Sequence, residues 1–225
     1  MRIVVILIAG LLFISCNKGE LDRLSEQNRI LRSQVSDLRN DIDAMKTEKE
    51  KLDFLSGNLR GITATIVTNK GEITLEFFTD KAPIHCFNFI TRAESGFYDN
   101  TQFHRVIPGF MIQGGDPNSR DGNKFNNGQG GPIAAIPHEF NDTVHEKGIL
   151  SMARVGDKSY GAGSQFFIMH EERNHLDGEY TAFGRVTRGL EVVDAIATTA
   201  THTDDPRLRD HPVDPVIIQT IRVGR

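Results

Sequence analysis

The stretch FHRVIPGFMIQGG, residues 103–115, sets an imidazole and a guanidinium, His104 and Arg105, directly before a run of large apolar side chains that reaches Gln113. Three readings fit that pattern: a strand edge, a lipid-facing patch, or a pocket in which a fixed charge stands beside an apolar floor. In the third, Arg105 supplies the chemistry, because a guanidinium stays protonated and offers its N–H donors in a rigid fork. Other chemistries find less support. His138, His145, His170, His175, His202 and His211 form no HExxH or comparable spacing, so no metal centre is expected. Gly114 and Gly115 are not followed by the lysine and hydroxyl residue of a phosphate loop. Cys86 has no base beside it and reads as core filling. His104 reads as a structural hydrogen-bonder, and His202 and His211 as solvent-facing. With 26 basic and 30 acidic side chains and a net charge of -4, nothing in the bulk charge calls for a nucleic-acid partner. No cofactor is implied.

The elements that must position these residues follow Gly61, where the hydrophobic period changes from 3.6 to 2. Residues 62–78 read as a β-hairpin about the turn residues Thr68, Asn69, Lys70 and Gly71. A helix opens near Pro83, with Thr79 or Asp80 as cap candidate, Pro83, Phe87 and Ile90 on one face, and Gly96 at its end. Strand patterns recur at 101–106, 110–114, 149–153, 165–169 and 181–186. A second helix spans 190–197, and a last strand 216–223 follows a polar linker. Many short strands with two helices predict an antiparallel barrel or sandwich. The Gly-, Asn- and Pro-rich segment from Asp116 to His138 is a long surface loop of the kind that is functional or mobile.

Before this part lie two simpler segments. Residues 1–15 carry Arg2 and then an apolar run from Ile3 to Ile14, shorter than the ~20 residues of a spanning helix and suited to a signal peptide. Ser15 and Cys16 close it in the manner of a bacterial lipoprotein cleavage box, so 16–20 are expected to form a lipidated N-terminus. An ordinary signal peptide or an uncleaved anchor is the alternative. On either the rest faces out of the cytoplasm, and Asn17 leans toward the outer membrane. Within the stem segment 21–56, residues 21–52 repeat on seven, with Leu21, Asn28, Val35, Ile42 and Lys49 at one seam position and Leu24, Leu31, Leu38, Met45 and Leu52 at the other. That pattern predicts a coiled-coil stem joining two or three copies, with Asn28 fixing register; a single solvated helix acting as a spacer is the alternative. A linker is expected at 57–60.

The segment FHRVIPGFMIQGGD, with GILSMAR (148–154), GSQFFI (163–168) and LDGEYTAFGRV (176–186), resembles the cyclophilin family of peptidyl-prolyl isomerases in order and spacing over residues 61–225. The resemblance implies an all-β fold, a closed eight-stranded antiparallel barrel capped by two helices, with the site on its outer surface. It implies Arg105 as the catalytic donor and Gln113 as the residue that orients it. Phe110, Met111, Phe167 and Leu176 would form the proline pocket, Ala153 and Arg154 the backbone-binding rim, and Gln165 a further polar contact. Tyr180 stands where the family often has histidine, and His175 where some members have tryptophan. Arg154 replaces an asparagine of many members, and is expected to alter substrate preference. The implied substrates are X-Pro bonds in exported proteins. The competing function is an envelope-anchored scaffold that binds proline peptides with little isomerase activity.

Overall fold

The computed structural model describes residues 2–131 and 135–225. The side chains of 2–21, 38, 39 and 41–46 lie outside that description, and with them Cys16, Leu21, Leu38, Ile42 and Met45. Two compact units divide the chain after Lys51. A helix, α1 (Arg2–Leu59), accounts for the first unit and supplies the opening residues of the second. In the first unit the seam residues Leu24, Leu31 and Val35 are 53%, 56% and 58% exposed. Among the described residues no helix is long and apolar enough to cross a membrane.

In the second unit α1 continues through Gly57 to Leu59, where a linker was expected. Its last turns are held by the globular part: Ser56 donates to Asp80 at 2.7 Å, Leu59 is buried, and Leu55 packs on the core. The strands follow in chain order as β1 (Thr63–Thr68), β2 (Gly71–Phe77), β3 (Thr101–Gln102), β4 (Arg105–Ile107), β5 (Met111–Gly114), β6 (Ile149–Arg154), β7 (Ala162–Met169), β8 (Ala182–Arg188) and β9 (Ile217–Gly224). They form one antiparallel sheet in the order β3-β9-β1-β2-β8-β6-β7-β5-β4. Among the described residues nine strands therefore stand where eight were expected. The difference comes from the predicted strand 101–106, which breaks in two because Phe103 and His104 are both buried and the alternation of faces is interrupted. Its halves, β3 and β4, are the two ends of the sheet order.

One face of the sheet carries the main core, in which Phe89, Tyr98, Phe166 and Phe183 meet at ring separations of 5.2–5.6 Å. Such ring pairs contribute about 0.5–1.5 kcal/mol each beyond their buried area. A second, smaller cluster of Met111, Ile149, Phe167, Met169, Leu176 and Ala182 lies apart from it. Phe166 to Met169 are buried without a break because β7 has apolar partners on both faces.

The helix α2 (Pro83–Glu94) buries Pro83, Cys86, Phe89, Ile90 and Ala93, while Phe87, expected on that face, is 46% exposed. Neither Thr79 nor Asp80 caps it. The N-cap position is Ala82, which has no side-chain acceptor, and the carboxylate of Glu139 takes its place, accepting from Ile84 N at 3.0 Å and His85 N at 2.8 Å. The helix α3 (Leu190–Ala197) spans its predicted residues.

Candidate active site

Strand pairing assembles the site. Arg105 on β4 lies opposite Gln113 on β5, and Gln113 lies opposite Phe167 on β7, so the three side chains share one face of the sheet. Phe110 ends the tight turn between β4 and β5. There Gly109, at φ 73°, takes a conformation that glycine adopts without strain. That turn is pinned from behind: Gly109 N donates to His170 Nδ1 at 2.8 Å, and Phe110 O accepts from His170 N. Leu176 comes from a 3-10 turn and Tyr180 from the loop before β8.

Arg105, Phe110, Met111, Gln113, Ala153, Arg154, Phe167, Leu176 and Tyr180 line one cavity of about 110 Å³. That volume suits a small apolar ring and is well below a drug-sized site. Its floor is the smaller apolar cluster, with Met111, Phe167 and Leu176 nearly fully buried. His145 stacks against Phe167 at 6.2 Å between rings, and its ring nitrogens reach Asp177 and Ser151 at 2.9 and 3.0 Å. This ties the Leu176 turn to the floor.

Of the residues predicted for catalysis and substrate binding, Gln165 and His175 stand outside the cavity lining. His175 is exposed at the edge, 6.2 Å from the Phe110 ring. Gln165 acts from behind through a chain of amides. Its Nε2 donates to Gly128 O at 3.1 Å and Gly130 O at 2.7 Å, which turns its Oε1 toward Gln113 Nε2 at 3.0 Å. Gln113 must then present its own Oε1 to Arg105 Nη1, at 3.4 Å. The glycine carbonyls are fixed in turn by Asp116, fully buried, whose carboxylate accepts from Gly128 N and Gly130 N. The 116–131 segment is thus an ordered support for the polar side of the site.

Arg154 departs from the expected rim residue. Its guanidinium lies 4.5 Å over the Tyr180 ring, donates to the carbonyls of Glu179, Val155 and Gly156, and sits 3.5 Å from the Glu179 carboxylate. Its side chain is only 8% exposed, so it clamps the cavity wall instead of reaching out as a free charge. On the other side of that wall a second cavity of about 420 Å³ shares Gln113, Ala153 and Arg154 and is otherwise lined largely by the glycine-rich segments near Gly128–Gly131 and Gly161–Gly163.

Sequence reasoning missed Asp210, whose Oδ2 accepts from Arg105 Nε at 3.3 Å. It also placed His211 in solvent, whereas His211 is 5% exposed, with Nε2 2.9 Å from Asn127 Nδ2. His104, taken as a hydrogen-bonder, is buried with no well-formed bond on either ring nitrogen. Burial pushes it down to about 4, against the pull of Asp116. Among the described residues no group of three His, Cys, Asp or Glu side chains could hold a metal ion.

The family described as "Cyclophilin type peptidyl-prolyl cis-trans isomerase/CLD" matches residues 63–223. A peptidyl-prolyl cis-trans isomerase of Synechococcus elongatus is 45% identical over 149 residues, covering 63% of this chain and 97% of that one. One from Helicobacter pylori is 43% identical over 159 residues, covering 69% and 90%. A cyclophilin-type isomerase of Cryptosporidium parvum, crystallised in the presence of the dipeptide Ala-Pro, superposes with a TM-score of 0.64 at 34% identity, over 72% of this chain and 99% of that one. The chain belongs to the cyclophilin-type peptidyl-prolyl cis-trans isomerase family.

Proposed function

We propose that this protein catalyses cis-trans isomerisation of X-Pro bonds, and that Arg105 is the residue that does it. The observation that carries the reading is the pairing of a guanidinium, held by Gln113, with a cavity sized for one small ring. Rotation about the prolyl bond must break C–N resonance against a barrier of ~18–20 kcal/mol. As the bond twists, the nitrogen pyramidalises and its lone pair localises. A donor aimed at that lone pair interacts more strongly with the twisted state than with either planar one, which is the requirement for acceleration. Phe110, Met111, Phe167 and Leu176 hold the proline ring while Arg105 addresses its nitrogen. The larger cavity beyond Arg154 receives residues flanking the proline. No bond to the protein forms and no proton leaves the substrate.

The other segments suit delivery of this activity to the cell envelope. Cys16 carries lipid after cleavage of residues 1–15, and the chain faces the periplasm from the membrane, the outer membrane being favoured. The exposed seam of Leu24, Leu31 and Val35 joins two or three copies through residues 21–52. The substrates are then exported proteins with slow prolyl bonds. Because β3 and β4 are separated only by Phe103 and His104, the chain itself links the two ends of the sheet, which supports a closed barrel. The direct test is exchange spectroscopy on an X-Pro peptide with the full chain in detergent. Uncatalysed conversion takes on the order of tens of seconds, and substoichiometric protein should shorten it at least a hundredfold. A folded protein that binds the peptide without speeding conversion would leave it a scaffold.

A further inference from the structure

We propose that Asp210 is a positioning residue for Arg105, one that keeps the guanidinium turned to the substrate. The role rests on the isomerase reading and adds to it a residue from the segment before β9. Arg105 is gripped at two nitrogens: Nε donates to Asp210 Oδ2 at 3.3 Å and Nη1 to Gln113 Oε1 at 3.4 Å. Among the described residues Nη2 has no protein partner. Nε–H and Nη1 lie on different edges of the planar fork, so the two contacts together fix its plane, whereas either alone leaves it free to swing. An arginine side chain carries ~2 kcal/mol of rotamer entropy. Restraining it before the substrate arrives leaves less to reorganise as the prolyl lone pair develops.

Asp210 is itself a fixed reference. Its carbonyl accepts from Val106 N, the residue after Arg105, at 2.8 Å, so β4 and the 208–212 segment are joined at the position where the two side chains meet. The next residue, His211, is buried, with its N–H on Leu208 O and its ring on Pro212 O and Asn127. The ion pair, by contrast, adds little to stability: both side chains are more than a third exposed, at 44% and 36%, and both bonds to Arg105 are long. Its value is in geometry.

The test is a double-mutant cycle on the full chain in detergent, reading both the catalysed exchange rate of an X-Pro peptide and the peptide Kd. Asp210→Ala should lower the rate about tenfold with Kd within about twofold. Asp210→Asn keeps an acceptor at the same place and should recover to within about threefold of the parent. In an Arg105→Ala background, Asp210→Ala should change nothing further, since a residue that acts through Arg105 has nothing left to position. Additive losses in the double variant, an Asp210→Ala rate matching the parent, or an asparagine variant no better than the alanine one would each overturn the role. Were Arg105→Ala itself as fast as the parent, the assignment of Arg105 would fall first. If Arg105→Ala is slow and Asp210→Ala is not, only the role of Asp210 falls.

Discussion

His104 and Arg105 are neighbours with opposite fates, and the difference is one of burial. Arg105 lies on the outward face of β4, half exposed, with its charge at the cavity mouth. His104 faces inward, and its depressed proton affinity makes it a liability in acid. The unfolded chain takes up that proton near the ordinary value of 6.5, while the folded one resists it to about 4. The stability contributed by keeping His104 neutral is therefore complete above about pH 6.5 and falls as pH drops toward 4, by roughly 3 kcal/mol in all. Denaturant titrations at pH 7.5, 6 and 5 should show His104→Leu losing less stability with acid than the parent; equal slopes would contradict the assignment. The residues of the cavity were legible through the order and spacing of the motifs that resemble the family; strand register then explains why Arg105, Gln113 and Phe167 share a face, while Phe110, Leu176 and Tyr180 are brought in by turns and a loop. Asp210 was not, because its contact with Arg105 spans 105 positions and depends on how the segment before β9 packs. Arg154 was legible as a position but not as a conformation, since its partners Tyr180 and Glu179 come from another loop.

At the level of elements, the periodicity located strands and helices well, and errors arose where a tertiary partner overrode a local signal. The start of α2 is the clearest case. Thr79 and Asp80 had the right chemistry for a cap, yet Asp80 is taken by Ser56 and Arg60, and Glu139 caps the helix from more than fifty residues away. Glu139→Ala removes a nearly buried carboxylate from two backbone N–H groups and from His85, and should lower unfolding stability by about 2–3 kcal/mol. Glu139→Gln, which can still accept, should cost less; a denaturant midpoint unchanged in both would refute the capping role. Gly130 offers a second test. A methyl group there would run into the Asp116 carboxylate and Asn118. Gly130→Ala should displace the carbonyl that orients Gln165 and slow isomerisation severalfold, with the thermal midpoint shifted by only a few degrees. Unchanged turnover would mean that the amide chain behind Arg105 is dispensable.

For the molecule as a whole, the stem poses the question of assembly. Leu24, Leu31 and Val35 are half exposed on the seven-residue repeat, and the proposed oligomeric stem would cover them with a second copy. Sedimentation of the full chain in detergent should give a dimer or trimer, and Leu31→Glu should convert it to monomer without loss of turnover. The activity belongs to the globular unit, and its central claim is that one guanidinium beside an apolar pocket does the work. The measurement that bears on this most directly compares the parent with Arg105→Ala in equilibrium exchange of an X-Pro peptide. The account predicts a fall of about 10²–10³-fold in the catalysed rate, with peptide affinity within about threefold, because the ring pocket is left intact. An alanine variant that isomerises as fast as the parent would contradict it.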